Sequence, residues 1–248
     1  MRTRSLPAIA VLSAAVVGLL FVIFIAEYSG QTDLEKRMNV SIERGLVFLN
    51  DNLWAEKVGA YRVTPDEEIF FGDDNYLAYV FHTEYPVFRN GTRADMILSF
   101  LRSKPLNLDL GRRRWVVLSS NYTDYKAYEE VGWADKAILD GIYYAKFKDI
   151  AKAWDHFRNV ASDMYDPEIG LIEDVETDKL GNEYYKTALA LILAAELDEE
   201  VYIRRFSHKL MELQREDGSW LTDNRDPSTT YPNTETSLVI LMALSQAG

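Results

Sequence analysis

Acidic and aromatic residues recur together at four places in the chain. They are Asp73, Asp74 and Tyr76; Glu130, Trp133 and Asp135; Glu183, Tyr184 and Tyr185; and Tyr231, Asn233 and Glu235. Carboxylates accept hydrogen bonds from hydroxyl groups, and rings stack on the apolar face of a sugar, so the pattern suits carbohydrate recognition. Two carboxylates about 5–9 Å apart can also hydrolyse a glycosidic bond, and a Tyr beside an acid can move a proton. A structural reading competes with these. Acids in the first turn of a helix complement its dipole, and Asp74, Asn182 and Asn233 are good N-caps. The Tyr and Trp side chains also pack well between helices.

Each group opens an apolar stretch, and these stretches repeat. Phe157 to Leu197 and Phe206 to Gln246 share one plan: an amphipathic helix, an Asp/Gly turn, a polar loop and a more apolar helix. Thr187 and Thr236 correspond across 49 residues. The plan recurs twice more, giving four pairs. Outer helices are predicted near 33–53, 92–103, 149–164 and 199–214, and inner helices near 73–84, 133–147, 183–197 and 233–246. The run Thr187 to Ala195 is apolar on every face, as a buried helix is. Outer-to-inner loops are long and inner-to-outer connections short. The long loops therefore collect at the end where the inner helices begin, and that end is the candidate binding face.

Composition removes many functions. The chain has 248 residues, no Cys, three His, and 27 Lys and Arg against 39 Asp and Glu, a net charge of −12. Without Cys there are no disulfides, thiolate zinc sites or cysteine nucleophiles. The acidic balance opposes nucleic-acid binding, so no nucleic-acid partner is expected. No nucleotide or nucleophile-elbow motif is present, and no cofactor is expected. The acidic loop holding Asp166, Glu168, Glu173, Asp174, Glu176 and Asp178 lacks EF-hand spacing and reads as solvated, so no metal site is assigned. Arg112, Arg113 and Arg114 form the one basic run, read as a solvated loop before a β-like segment, Trp115 to Leu118. His82, His156 and His208 fall on different predicted helices.

The N-terminus predicts a membrane anchor. Residues 1–5 form a basic tip, and residues 6–26 are uncharged. At ~1.5 Å per residue the latter would span about 31 Å, a bilayer core. Acids follow the span, which points to a cytoplasmic N-terminus, a 27–32 linker and an extracytoplasmic body at 33–248, bound to the plasma membrane. Sequons at Asn39, Asn90 and Asn121 fit an exported, glycosylated surface.

Gln214-Arg215-Glu216-Asp217-Gly218-Ser219-Trp220 resembles the QW repeat of the terpenoid-cyclase and protein-prenyltransferase superfamily, and Tyr165 to Leu171 is similar to a degenerate copy. The resemblance implies an all-α architecture of repeated helical hairpins, an α/α toroid, in which the Gln caps an inner-helix end and the Trp packs over it. Neither family activity carries over, because the Asp-x-Asp-Asp acid motif and the zinc-binding Cys are absent. Four hairpins would leave a small or open ring, with an edge for self-association. The resulting functional expectation is a membrane-anchored binding or assembly module for a surface glycan or envelope protein. A glycan-active hydrolase, lyase or epimerase using the inner-helix carboxylates is the alternative, and the balance leans away from an enzyme.

Overall fold

The computed structural model describes residues 33–104, 112–120, 122–127, 132–147, 149–175, 182–225 and 230–248. Contacts divide the chain into residues 1–37 and 38–248. Of the first unit only 33–37, the opening of helix α1 (33–48), are described. The described residues of the second unit are all-α apart from two small hairpins and two isolated β-bridges. Its helices are the rest of α1, α2 (Gly72–Glu84), α3 (Gly91–Arg102), α4 (Ala134–Lys146), α5 (Ile150–Asn159), α6 (Tyr184–Glu196), α7 (Glu200–Glu212) and α8 (Thr234–Ala247).

Helices α2, α4, α6 and α8 form the inner layer. Their contacts run in the order α2, α8, α6, α4, and α3, α5 and α7 pack on α2, α4 and α6 respectively. Every residue of α6 from Tyr184 to Ala194 is buried, as is every residue of α8 from Leu238 to Leu244. Burial on all faces is what their unbroken apolar sequences require. The outer helices carry apolar side chains on one stripe, such as Ala153 and Phe157 of α5 and Phe206 and Leu210 of α7.

The repeat is more regular than its sequence suggests. After α1 the chain makes a π-helical turn, Leu49–Leu53, then the hairpin β1 (Trp54–Ala55) and β2 (Ala60–Tyr61). After α5 it repeats both, with Val160–Met164 and the hairpin β3 (Tyr165–Asp166) and β4 (Leu171–Ile172). Each hairpin is pinned to the inner helix that follows. Tyr61 N–H donates to Asn75 Oδ1 at 2.7 Å, and Ile172 N–H donates to Thr187 Oγ1 at 3.0 Å. Asn75 and Thr187 both occupy the fourth residue of their helices, so this polar position sets where each inner helix begins.

The Gln214–Trp220 segment joins the two ends of the unit. Gln214 Nε2 donates to Ser41 O and Gly218 O, and Ser41 Oγ donates to Gln214 Oε1. Arg44 donates to the carbonyls of Arg215 and Glu216. The Trp220 ring is fully buried against Gly45, with its indole N–H on Leu210 O. Gln214 thus bonds the outer helix α1, not an inner-helix end. These bonds tie the last hairpin to the first.

Other expectations need correction. Residues 112–115 are helical and Val116–Leu118 form a 3₁₀ turn, where a β-like run was expected. Trp115 to Leu118 are all buried, and burial selects the same apolar residues as a strand does. Asn233 is a true N-cap, accepting from Thr236 N–H at 2.8 Å. Asp74 instead lies inside the first turn of α2, and Asn182 precedes the α6 cap and bonds Glu173 and Asn224. The membrane reading also falls. No helix among the described residues is long and apolar enough to cross a membrane, and the 6–26 stretch lies outside them. The anchor, the bilayer partner and the plasma-membrane placement are therefore withdrawn. Asn39 and Asn90 are exposed, with Asn90 capping α3, while Asn121 lies outside the described residues.

Gly218 tests the closure directly. Its φ is +88°, and an added Cβ would sit 2.3 Å from Arg44 O. Gly218→Ala should cost about 2–4 kcal/mol in urea unfolding, from strain plus displacement of α1. Gly91→Ala, with open space at its Cβ, should stay within about 1 kcal/mol of the parent.

Candidate functional site

The four inner-helix starts meet on one side chain that the sequence reading had placed in solvent. Arg114, from the helical segment 112–115, inserts among them with about a quarter of its side chain exposed. Its guanidinium lies 2.8 Å from Glu235 of α8, 3.4 Å from Asp135 of α4 and 4.0 Å from Asp73 of α2. It also donates to the Tyr185 hydroxyl of α6 at 3.2 Å and stacks over the Trp115 ring at 4.4 Å. One planar cation thus bridges groups from all four inner helices. Arginine suits this role because its five N–H donors fan out in a plane.

The cluster holds more acid than Arg114 balances. Asp74 is only 5% exposed. Burial, followed by the charges of Glu235 and Asp73, lifts its carboxyl well above the usual range, against the pull of Arg114. Glu235 is raised as well: burial dominates, Arg114 opposes it, and Asp73, Glu183 and Asp135 add to it. Tyr185 is pushed well up by burial and by the charges of Glu235 and Asp135. The positive ends of the helix dipoles favour ionised acids here, but such terms are worth about 0.3–1 kcal/mol each. Burying an unpaired carboxylate costs several times that, so desolvation wins for Asp74.

A second ion-pair group flanks the first. Lys186 of α6 bonds Asp174 at 2.5 Å and Glu183 at 2.8 Å. Burial works against the ammonium, but these bonds outweigh it and hold Lys186 above its ordinary value. Asp174 also accepts from Ala134 N–H at 2.7 Å, capping α4 from outside its own helix. The acidic loop is therefore partly structural: Asp174 is buried in this pair, and Glu176 and Asp178 lie outside the described residues.

Asp73, Asp74, Asp135, Glu183 and Glu235 lie near one another at the inner-helix starts. Glu130 lies outside the described residues. Tyr76 and Tyr184 are buried, and burial raises both hydroxyls; the charge felt by Tyr76 comes first from Arg112, and that felt by Tyr184 from Asp223. Trp133 and Tyr231 are exposed, at 38% and 53%. The three histidines do fall on α2, α5 and α7. His82 is held between the Tyr61 hydroxyl and Phe88 O, and burial pushes it down to about 4. The sequence reading missed Arg114 and Lys186. A signal was present, because so many acids at converging helix starts demand a counter-charge.

These facts remove the earlier functional readings. Among the described residues, no helix is long and apolar enough to cross a membrane, and no group of three or more His, Asp or Glu is placed to hold a metal ion. Of the carboxylates expected to work as an acid–base pair, Asp73, Asp135 and Glu235 are bridged by Arg114, and Glu183 is paired with Lys186. The membrane-anchored glycan or envelope-protein module and the glycan-active enzyme are both set aside. A scan against protein-family models and a search of curated proteins each return no match.

Asp74 makes the stability of the fold depend on pH. Its folded pKa is raised, so the native state binds a proton more tightly than the unfolded chain. Its favourable contribution is complete below about pH 4 and is lost as pH rises through the folded value. Asp74→Asn keeps the shape and removes this penalty. The variant should be more stable than the parent at pH 8, by about 1–3 kcal/mol in urea unfolding, with the gain vanishing near pH 4. An equal effect at both pH values would show that Asp74 is not protonated in the fold.

Proposed function

We propose that this chain is a recognition module, not an enzyme, and that it binds a basic, partly apolar protein segment at the inner-helix starts. The observation that carries the reading is an acidic centre beside exposed apolar side chains. Phe71 and Trp133 are the residues immediately before α2 and α4, and Tyr231 lies just before the Asn233 cap of α8. They are 51%, 38% and 53% exposed, and Val175, whose N–H bonds Gly132 O, is 54% exposed. Exposed aromatics beside a charged centre are typical of the anchors that carry most interface energy. An incoming ammonium or guanidinium would favour ionisation of Asp74 and Glu235, so the site has acid capacity in reserve. The net charge of −12 would speed encounter with such a partner.

The helix order supports a finer reading of the scaffold as a small α/α toroid. Four hairpins stack with inner helices neighbouring in sequence α2, α8, α6, α4, and the Gln214 loop ties the last hairpin to α1. That resembles the QW-repeat architecture in plan.

The test is titration calorimetry of the chain with a ten-residue peptide alternating Arg and Leu. Binding near ~10 μM at low salt is expected, weakening as salt rises. Trp133→Ala and Tyr231→Ala should each weaken it about tenfold while circular dichroism stays unchanged. Equal binding of a peptide alternating Glu and Leu would refute the reading, as would no binding of the basic one.

A further inference from the structure

The opposite end of the inner layer holds a cavity of about 630 Å³, within the range of small-molecule sites. It lies where α2, α4, α6 and α8 end, and its lining includes Glu84, Tyr122, Lys146, Glu196 and Gln246. Lys146 stands out among these. Its Nζ donates to Val117 O at 2.8 Å, its one hydrogen bond among the described residues, and the Tyr122 ring centre is 6.0 Å away. Neither Glu84 nor Glu196 is within ion-pair distance of it, although both line the same cavity. Each has another partner: Ser120 Oγ donates to Glu84 at 3.2 Å, and Gln246 Nε2 donates to Glu196 at 2.7 Å.

One N–H of Lys146 meets the Val117 carbonyl, and the rest of the amine borders the cavity. A neutral amine held in this way donates once and can turn its lone pair to the cavity. Burial holds the Lys146 amine below the usual lysine range, against the opposing pull of Glu196 and Glu84. We propose that Lys146 is the nucleophile of a second ligand site, which takes a small neutral aldehyde or ketone as an imine. The Nζ lone pair forms a bond to the carbonyl carbon as the C=O π bond breaks onto oxygen. The oxygen takes up a proton, the nitrogen gives one up, and the carbinolamine then loses water to leave the C=N bond. Glu84 and Glu196 are the cavity groups available to give and accept these protons. No oxidant or reductant is consumed, and added water reverses the step. The two carboxylates, together with the carbonyl ends of four helices, make the cavity repel anions, so a neutral carbonyl compound is favoured over a keto acid.

The test is reductive trapping on the full chain. The protein is incubated at pH 6.5 with butyraldehyde and cyanoborohydride, and the adducts are mapped by mass spectrometry over time. Lys146 should be alkylated several-fold faster than the exposed Lys57 and Lys126, because burial enlarges its neutral fraction at this pH. The advantage should shrink at pH 10, where surface lysines also lose their protons. Succinic semialdehyde, an anion, should label Lys146 about fivefold more slowly than butyraldehyde does. The comparison is internal to the native protein, so no variant has to fold. Labelling of Lys146 at or below the rate of Lys57 overturns the proposal, and equal labelling by both aldehydes overturns the assignment to neutral carbonyls.

Discussion

The packing of this domain turns on one guanidinium. Helices α2, α4, α6 and α8 all point their N-termini at the same region, and each brings an acid or a tyrosine. Without a cation among them, Asp73, Asp135 and Glu235 would repel one another as the helices approached. Arg114 removes that obstacle by lying within 4.0 Å of all three. It also contributes to the core, because its neighbour Trp115 is fully buried and Val116 to Leu118 follow it inward. The segment from 112 to 118 thus links the charge network to the apolar centre. A buried or half-buried ion pair often adds little net stability over a well-packed apolar alternative. Its larger consequence here is geometric, since it specifies which helix ends must meet.

The two ends of the inner layer differ in electrostatic character. At the N-terminal end the helix dipoles favour anions, and the chain supplies more carboxylates than Arg114 neutralises. Two of them, Asp74 and Glu235, are raised, first by burial and then by the neighbouring carboxylates. At the C-terminal end the dipoles favour cations, yet the cavity contains an amine that burial drives toward neutrality. In both places burial outweighs the dipole, and both places hold a group able to exchange a proton.

Much of the scaffold was legible because apolar periodicity reports burial directly. The outer and inner helices fall within a few residues of their expected ranges, and the all-apolar run from Thr187 to Ala195 is buried as it reads. The convergence of inner-helix starts also followed from loop lengths alone. The hairpins at Trp54–Tyr61 and Tyr165–Ile172 were not legible as strands, because two-residue pairs leave no period to detect. Trp115 to Leu118 misled because burial and strand pairing select the same residues. Arg114 misled for a related reason: a basic run looks solvated until the acids that surround it are placed in space. Lys146 could not be singled out at all, since its environment is built by four helix ends far apart in the sequence.

The most direct measurement is a carboxyl carbon-13 NMR titration of the full chain, with Asp74 assigned, in the parent and in Arg114→Met. The account predicts that Asp74 titrates well above the ordinary aspartate range in the parent, and higher still once the opposing guanidinium is gone. An Asp74 that titrates near ~4 in both proteins would contradict it, because the carboxylates would then not be crowded around Arg114.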